Sequence, residues 1–307
     1  MPEFRRIMEG RKSVKSEDIK SPETVYENVL KYTEDAYRLL EKGKNVPSFK
    51  SILSELMYVV KTQGPEMVVL AHRQPPPTYI PMHSVNVSIT ALCIGISRRL
   101  PGPSLEELEV ASLFHCIGRS LKLEDDVLRD KDKFAQMKGE YIKSVEKLDL
   151  VSGMTSKIKK IVREHHERMG PEDYPTEKVS EGVELETKIL IVVDTYCSLI
   201  YSPDIKTSVY PHTALMRLLE KNHLPLDPDI LKTLIEVVGI YPVGTWVELN
   251  NGEVGKVIRP RFGFPMRPLI EVVSSPTGER LSQPQTRDLI ETPILHIRRV
   301  VEERGER

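Results

Sequence analysis

Residues 184–201 read Glu184-Leu-Glu-Thr-Lys-Ile-Leu-Ile-Val-Val-Asp194-Thr-Tyr-Cys-Ser-Leu-Ile-Tyr201. The apolar run is too long for an ordinary strand and suits a buried helix, stopped by Ser202-Pro203. One carboxylate, Asp194, interrupts it. Its neighbours one turn away on either side are Leu190, Ile191, Cys197 and Ser198, so it lies on an interior face. A carboxylate there is costly to bury unless it binds a metal or is strongly hydrogen-bonded. Taken alone, Asp194 fits either a metal ligand or the partner of an arginine such as Arg163.

The same helical texture extends outward on both sides. Residues 155–168 form an amphipathic helix capped by Thr155 and stopped at Gly170-Pro171. Ile158, Ile161, Val162 and His165 share its apolar stripe, and His166 points about 100° away round the axis. Residues 104–119 form another helix, with Ser104 and Glu107 at capping-box spacing. Leu108, Ala111 and His115 share one of its faces, with Arg119 a turn further on. Residues 82–100 form a helix ended by Pro101-Gly102-Pro103, in which His83 leads a face continued by Asn86, Val87 and Thr90. Further helices are predicted from Ser21-Pro22, an N-cap with proline at the first position, and over 48–62, 211–221 and 228–238. Gln74-Pro-Pro-Pro77 breaks the chain between units.

After Gly239 the texture changes. Residues 245–249 and 254–258 alternate around Asn250-Asn-Gly252, which predicts a β-hairpin. Residues 269–273 and 289–301 continue a small mixed unit. The fold class is therefore mainly α: a helical bundle with an N-terminal helical segment and a small β-rich C-terminal extension. The boundaries fall at 1–70, 71–240 and 241–307.

Charge excludes some partners. The chain has 44 basic and 45 acidic residues, so no global field holds DNA, RNA or an anionic membrane. Cys93, Cys116 and Cys197 form no C-x-x-C pair, which predicts a reduced compartment. The start, Met1-Pro-Glu-Phe-Arg-Arg6, lacks the apolar core of a signal peptide. Uninterrupted apolar runs, such as Ile189–Val193, reach only five residues, too short to span a bilayer. The sequence thus predicts a soluble, cytoplasmic protein. Apolar helix faces over 21–70 predict packing on the bundle and pairing of two chains as a homodimer.

The candidate site is His83, His115, His165, His166 and Asp194, spread over four helices. These are residue types that bind a hydrolytic metal. Each also has a plainer explanation. An interior histidine is commonly a satisfied core residue, adjacent histidines suit a helix C-terminus, and Cys93 and Cys197 fit as small core hydrophobes.

In order and spacing, His83-Ser-Val-Asn-Val87, Ser112-Leu-Phe-His-Cys-Ile-Gly-Arg119, His165-His-Glu-Arg168, Asp173-Tyr-Pro175 and Asp194-Thr-Tyr196 resemble the HD-GYP family. That family is a branch of the HD-domain metal-dependent phosphohydrolases, mostly bacterial cyclic di-GMP phosphodiesterases. Gly239-Ile-Tyr-Pro-Val-Gly-Thr245 and Asn251-Gly-Glu-Val-Gly255 resemble the tail that follows such domains. The resemblance implies an HD-type bundle around an iron or manganese centre. It implies ligand roles for His83, His115, His165, His166 and Asp194, phosphate contacts for Arg119 and Lys206, and a ligand-binding loop at Asp173, Tyr174 and Pro175.

The departures matter as much. Cys116 replaces the aspartate that bridges two metals. Gly139 falls where a further histidine ligand belongs. Arg119 replaces a lysine, Asp173 a glycine, and Cys197-Ser198 an Asp-Ala pair. Pro203 stands where an arginine would grip phosphate, and Tyr79 where some members carry an acidic ligand. A two-ion phosphodiesterase needs a shared ligand to hold its ions about 3.5–4 Å apart. What remains implies one iron or manganese ion, or none. The expected function is a degenerate module of cyclic-dinucleotide signalling. It would bind cyclic di-GMP or a related nucleotide, and a protein partner, with weak or no hydrolysis. The alternative is an active metal-dependent phosphodiesterase with a rearranged or one-metal site.

Overall fold

The computed structural model describes residues 20–72, 79–117, 144–167, 182–200, 209–220 and 226–301, without the side chains of residues 79, 166 and 167. Among these residues are eight α-helices: α1 Pro22–Glu41, α2 Lys50–Ala71, α3 Tyr79–Ser97, α4 Gly102–Phe114, α5 Ser156–Glu167, α6 Leu185–Ile200, α7 Pro211–Glu220 and α8 Pro228–Val238. Five strands follow: β1 Trp246–Leu249, β2 Val254–Arg259, β3 Leu269–Ser274, β4 Arg280–Asp288 and β5 Ile297–Val300. The protein is mainly α with a small C-terminal sheet.

α3 is the axis of the helical unit. It packs against α1, α2, α4, α6 and α8. Surrounded in this way, it has no polar face to keep, and helices that are apolar all round are buried ones. Its stretch Ile80–Ser97 has a mean hydropathy of 1.4, long and apolar enough by composition to cross a bilayer, yet 83% of it is buried inside the protein. A search for unbroken apolar runs misses this stretch because Ser84, Asn86, Ser88 and Thr90 punctuate it. α1 and α2 direct Val25, Val29, Leu40, Leu53, Leu56 and Val60 into the same core. Their apolar faces are thus occupied within one chain, as the predicted packing on the bundle requires.

Local signals explain most helix ends. The Ser21 hydroxyl accepts from the Thr24 amide at 3.2 Å, and Pro22 opens α1. The Thr155 hydroxyl accepts from the Ile158 amide at 3.2 Å. Asp227 caps α8 by accepting from Asp229 and Ile230. The predicted capping box at Ser104 does not form. α4 begins two residues earlier, on Gly102-Pro103, which places Ser104 inside the helix. Glu107 instead pairs with Lys157 of α5 at 2.7 Å. α2 runs on beyond the predicted 48–62 through a kink at Gln63, next to Gly64-Pro65.

The sheet is antiparallel throughout, in the order β4-β3-β2-β1-β5. β1 and β2 form the predicted hairpin, with Gly252 at φ +90° in the turn. β4 escapes the sequence patterning because it is an exposed edge strand with Pro284 inside it. Val247, Leu249, Val257, Ile270, Val272, Leu289 and Leu295 make its own small core. The sheet unit docks on the α2 kink. A Cβ at Gly64 would come within 2.9 Å of the Phe262 ring, and Arg259 pairs with Glu66 at 2.6 Å.

Candidate metal centre

Four elements bring their functional groups to one buried point. His83 lies in the first turns of α3, His115 just past the end of α4, His165 near the end of α5, and Asp194 in the middle of α6. All four are buried, Asp194 at 1% exposure and the three histidines at 0%. His83 Nε2 lies 2.8 Å from Asp194 Oδ1 and 3.2 Å from His115 Nε2. His115 Nε2 lies 3.3 Å from the same oxygen. His165 Nε2 takes the other oxygen, Oδ2, at 3.0 Å. The rings of His83 and His115 sit 5.2 Å apart, and those of His115 and His165 5.3 Å. Arg163, the alternative partner for Asp194, is exposed.

Two further groups complete the arrangement. Cys116 Sγ lies 3.2 Å from His115 Nε2, and one ligand atom each of His83, His115 and Cys116 falls within 4.8 Å of the others. Ser198 Oγ donates to Asp194 Oδ1 at 3.1 Å. The orientation of His115 has a local cause. The last carbonyls of a helix lack intrahelical partners, and His115 Nδ1–H donates to one of them, Ser112 O, at 2.6 Å. That bond places the proton on Nδ1 and turns the Nε2 lone pair toward the cluster.

Electrostatics favour positive charge here. Burial pulls His83 and His115 down, but Cys116 and Asp194 outweigh it; both imidazoles are raised, His115 to about 10. Burial pushes Asp194 up, but His115, His165 and His83 hold it well below the usual carboxylate range. Burial likewise pushes Cys116 up, and His115 and His83 outweigh it, leaving the thiol well below its ordinary value. His165 is lowered, burial being the largest cause. Cys116 and Asp194 thus face imidazoles whose charged form they favour, a surrounding that also suits one divalent cation. The spacing agrees. Donors bound to one ion at about 2.0–2.2 Å, at right or tetrahedral angles, lie about 3–3.5 Å apart. The residues present therefore fit a single divalent ion.

The rest of the predicted site lies outside the described residues: the His166 side chain, Gly139, Arg119, the loop Asp173, Tyr174 and Pro175, and Lys206. Sequence reasoning overlooked the carbonyl of Ser112 and the hydroxyl of Ser198 as orienting groups. Their signals were the spacings, three residues before His115 and four after Asp194.

Comparison with known proteins agrees with this geometry. Residues 82–199, which span all four elements of the cluster, match the HD domain. The chain belongs to the HD superfamily. It is 28% identical over 204 residues to the Pseudomonas aeruginosa protein named cyclic di-GMP phosphodiesterase PA4108, covering 64% of this chain and 48% of that protein. It is 24% identical over 196 residues to cyclic di-GMP phosphodiesterase PdeB of Borreliella burgdorferi, covering 62% of this chain and 52% of that one. The chain spans about half the length of these curated relatives. Residues 246–306 match the KOW domain associated with HD domains, so the β-rich extension is a recurrent companion of this fold. No solved structure matches the chain.

Proposed function

We propose that this HD-superfamily protein is a degenerate signalling module. It binds cyclic di-GMP or a related nucleotide phosphodiester, hydrolyses it weakly or not at all, and passes the signal to a protein partner. One observation carries the reading: the residue beside His115, facing the imidazoles, is the thiol of Cys116, where a two-ion site needs a shared carboxylate. Asp194 already serves three imidazoles and one hydroxyl, and its two oxygens are engaged on opposite sides. The cluster thus suits one ion, with His83, His115 and Asp194 at its centre. When bound, such an ion supplies Lewis-acid polarisation of a phosphoryl group. The chain's own residues keep the site dry, hold Asp194 ionised and aim His115 through the Ser112 carbonyl. The relatives' names make cyclic di-GMP the first ligand to test.

The convergence of three imidazoles and a carboxylate also favours a second reading, an active phosphodiesterase working with one iron or manganese ion. The two separate cleanly. The purified chain, supplied with iron(II) or manganese(II), is expected to bind cyclic di-GMP in calorimetry without releasing the linear dinucleotide or GMP. Turnover that disappears in Asp194→Ala overturns the degenerate reading. Absence of calorimetric binding overturns the ligand assignment.

A further inference from the structure

We infer that Cys116 is itself a metal ligand and that its sulfur makes this a zinc site. The inference rests on the one-ion reading above. It assigns the ion to His83 Nε2, His115 Nε2, Cys116 Sγ and Asp194 Oδ1, and gives His165 the separate role of orienting Asp194.

The geometry separates these roles. His83, His115 and Cys116 offer ligand atoms within 4.8 Å of one another. Asp194 Oδ1 touches both imidazoles of that group, at 2.8 and 3.3 Å. His165 Nε2 meets the far oxygen of the carboxylate, Oδ2, at 3.0 Å. A group bonded to the non-ligating oxygen of a metal-bound carboxylate is in the position of an orienting partner. Two nitrogens, one sulfur and one oxygen form a mixed donor set of the kind zinc takes, expanding its coordination when a phosphoryl oxygen is bound, whereas manganese and magnesium favour sites built from oxygen.

Charge leads to the same ion count. With neutral imidazoles, a thiolate and a carboxylate balance one divalent cation and leave the buried cluster neutral. A second cation would leave two uncompensated positive charges in a dry core, a costly state. On binding, Cys116 Sγ and the two imidazole Nε2 atoms each give an electron pair to zinc, and any proton held on those atoms passes to solvent.

Resemblance gives iron or manganese; this chain's own departure from the pattern selects a different ion. The position that elsewhere carries a hard, bridging oxygen ligand carries a soft, terminal one. Selectivity follows ligand softness and geometry rather than raw affinity.

Cobalt(II) replaces zinc in such sites and reports sulfur directly through a thiolate-to-cobalt charge-transfer band in the near ultraviolet. The full chain, stripped with chelator and reloaded with cobalt(II) chloride, is expected to show this band with one equivalent bound. Zinc should displace the cobalt, and manganese should not. Cys116→Ser should lose the band and bind zinc weaker by more than the roughly 10–100-fold that loss of a merely supporting partner costs. Cys116→Asp should shift preference toward manganese. His165→Gln should keep the band. Bound cobalt without the band in the wild-type protein overturns the proposal, and that measurement needs no variant to fold. Unchanged zinc affinity in a folded Cys116→Ser protein overturns it too. Turnover of cyclic di-GMP by a protein that shows the band defeats the degenerate reading and leaves sulfur ligation standing; an inactive protein without the band does the reverse.

Discussion

The two most deeply buried carboxylates among the described residues of the helical unit, Asp194 on α6 and Glu109 on α4, at 1% and 2% exposure, are held in opposite states. Burial pushes both upward. Around Asp194, three imidazoles reverse that push and the group stays ionised. Around Glu109, burial is reinforced by Glu106 and opposed only by Lys61, and the carboxyl rises well above its ordinary range. Glu109 Oε1 has no hydrogen-bond partner among the described residues. Depth alone therefore does not mark a functional carboxylate. What marks Asp194 is that imidazoles from three other elements meet its charge.

The comparison breaks most visibly at Asp194. In the metal-free protein, Asp194→Asn removes the acceptor shared by His83, His115 and His165 and leaves amide hydrogens facing imidazole nitrogens. Removing one partner of a buried ion pair costs about 3–5 kcal/mol. Urea unfolding should show a loss of that size, and cobalt binding should vanish. A loss below about 1 kcal/mol would mean that the imidazoles had not been holding this charge.

Ser198→Ala sharpens the same point with a smaller effect. The Ser198 hydroxyl donates to Asp194 Oδ1, the oxygen that also faces His83 and His115. A hydrogen bond to a charged group contributes about 1.5–3 kcal/mol, and the lower end applies here because three imidazoles remain. Unfolding in urea should move by about 1.5 kcal/mol, with one equivalent of cobalt still bound. Loss of cobalt binding would show that the serine positions the carboxylate rather than merely steadying it.

These two residues also show how far the sequence could be read. Asp194 announced itself by interrupting an apolar helix, and His83, His115 and His165 by lying on apolar stripes; periodicity carried each to the interior. The tail's hairpin followed from Asn250-Asn-Gly252. Periodicity could not say that Cys116 Sγ faces the imidazoles. That depends on the turn that ends α4 at Phe114, and on the bond from His115 to the Ser112 carbonyl. Nor could it separate Glu109 from Glu106 and Glu107. The fold makes the distinction, by laying α4 against α3 and closing over one of the three. β4 stayed hidden because an edge strand needs no apolar face.

The smallest effect is the most discriminating, because it has the opposite sign. Glu109 keeps its proton in the folded state at pH values where the unfolded chain has lost it. Its contribution is fully present below the unfolded value of about 4.3, and it is lost as pH rises toward the raised folded value. Glu109→Gln fixes the neutral form in both states and removes that slope. Between pH 4 and pH 7, the wild-type protein should therefore lose stability relative to the variant. At neutral pH the variant should be the more stable of the two. Urea titrations of both proteins at pH 4, 5.5 and 7 give this difference directly, with every other group cancelling. A difference growing in the other direction would mean that Glu109 is ionised and paired like Asp194, and the contrast between the two buried carboxylates would be gone.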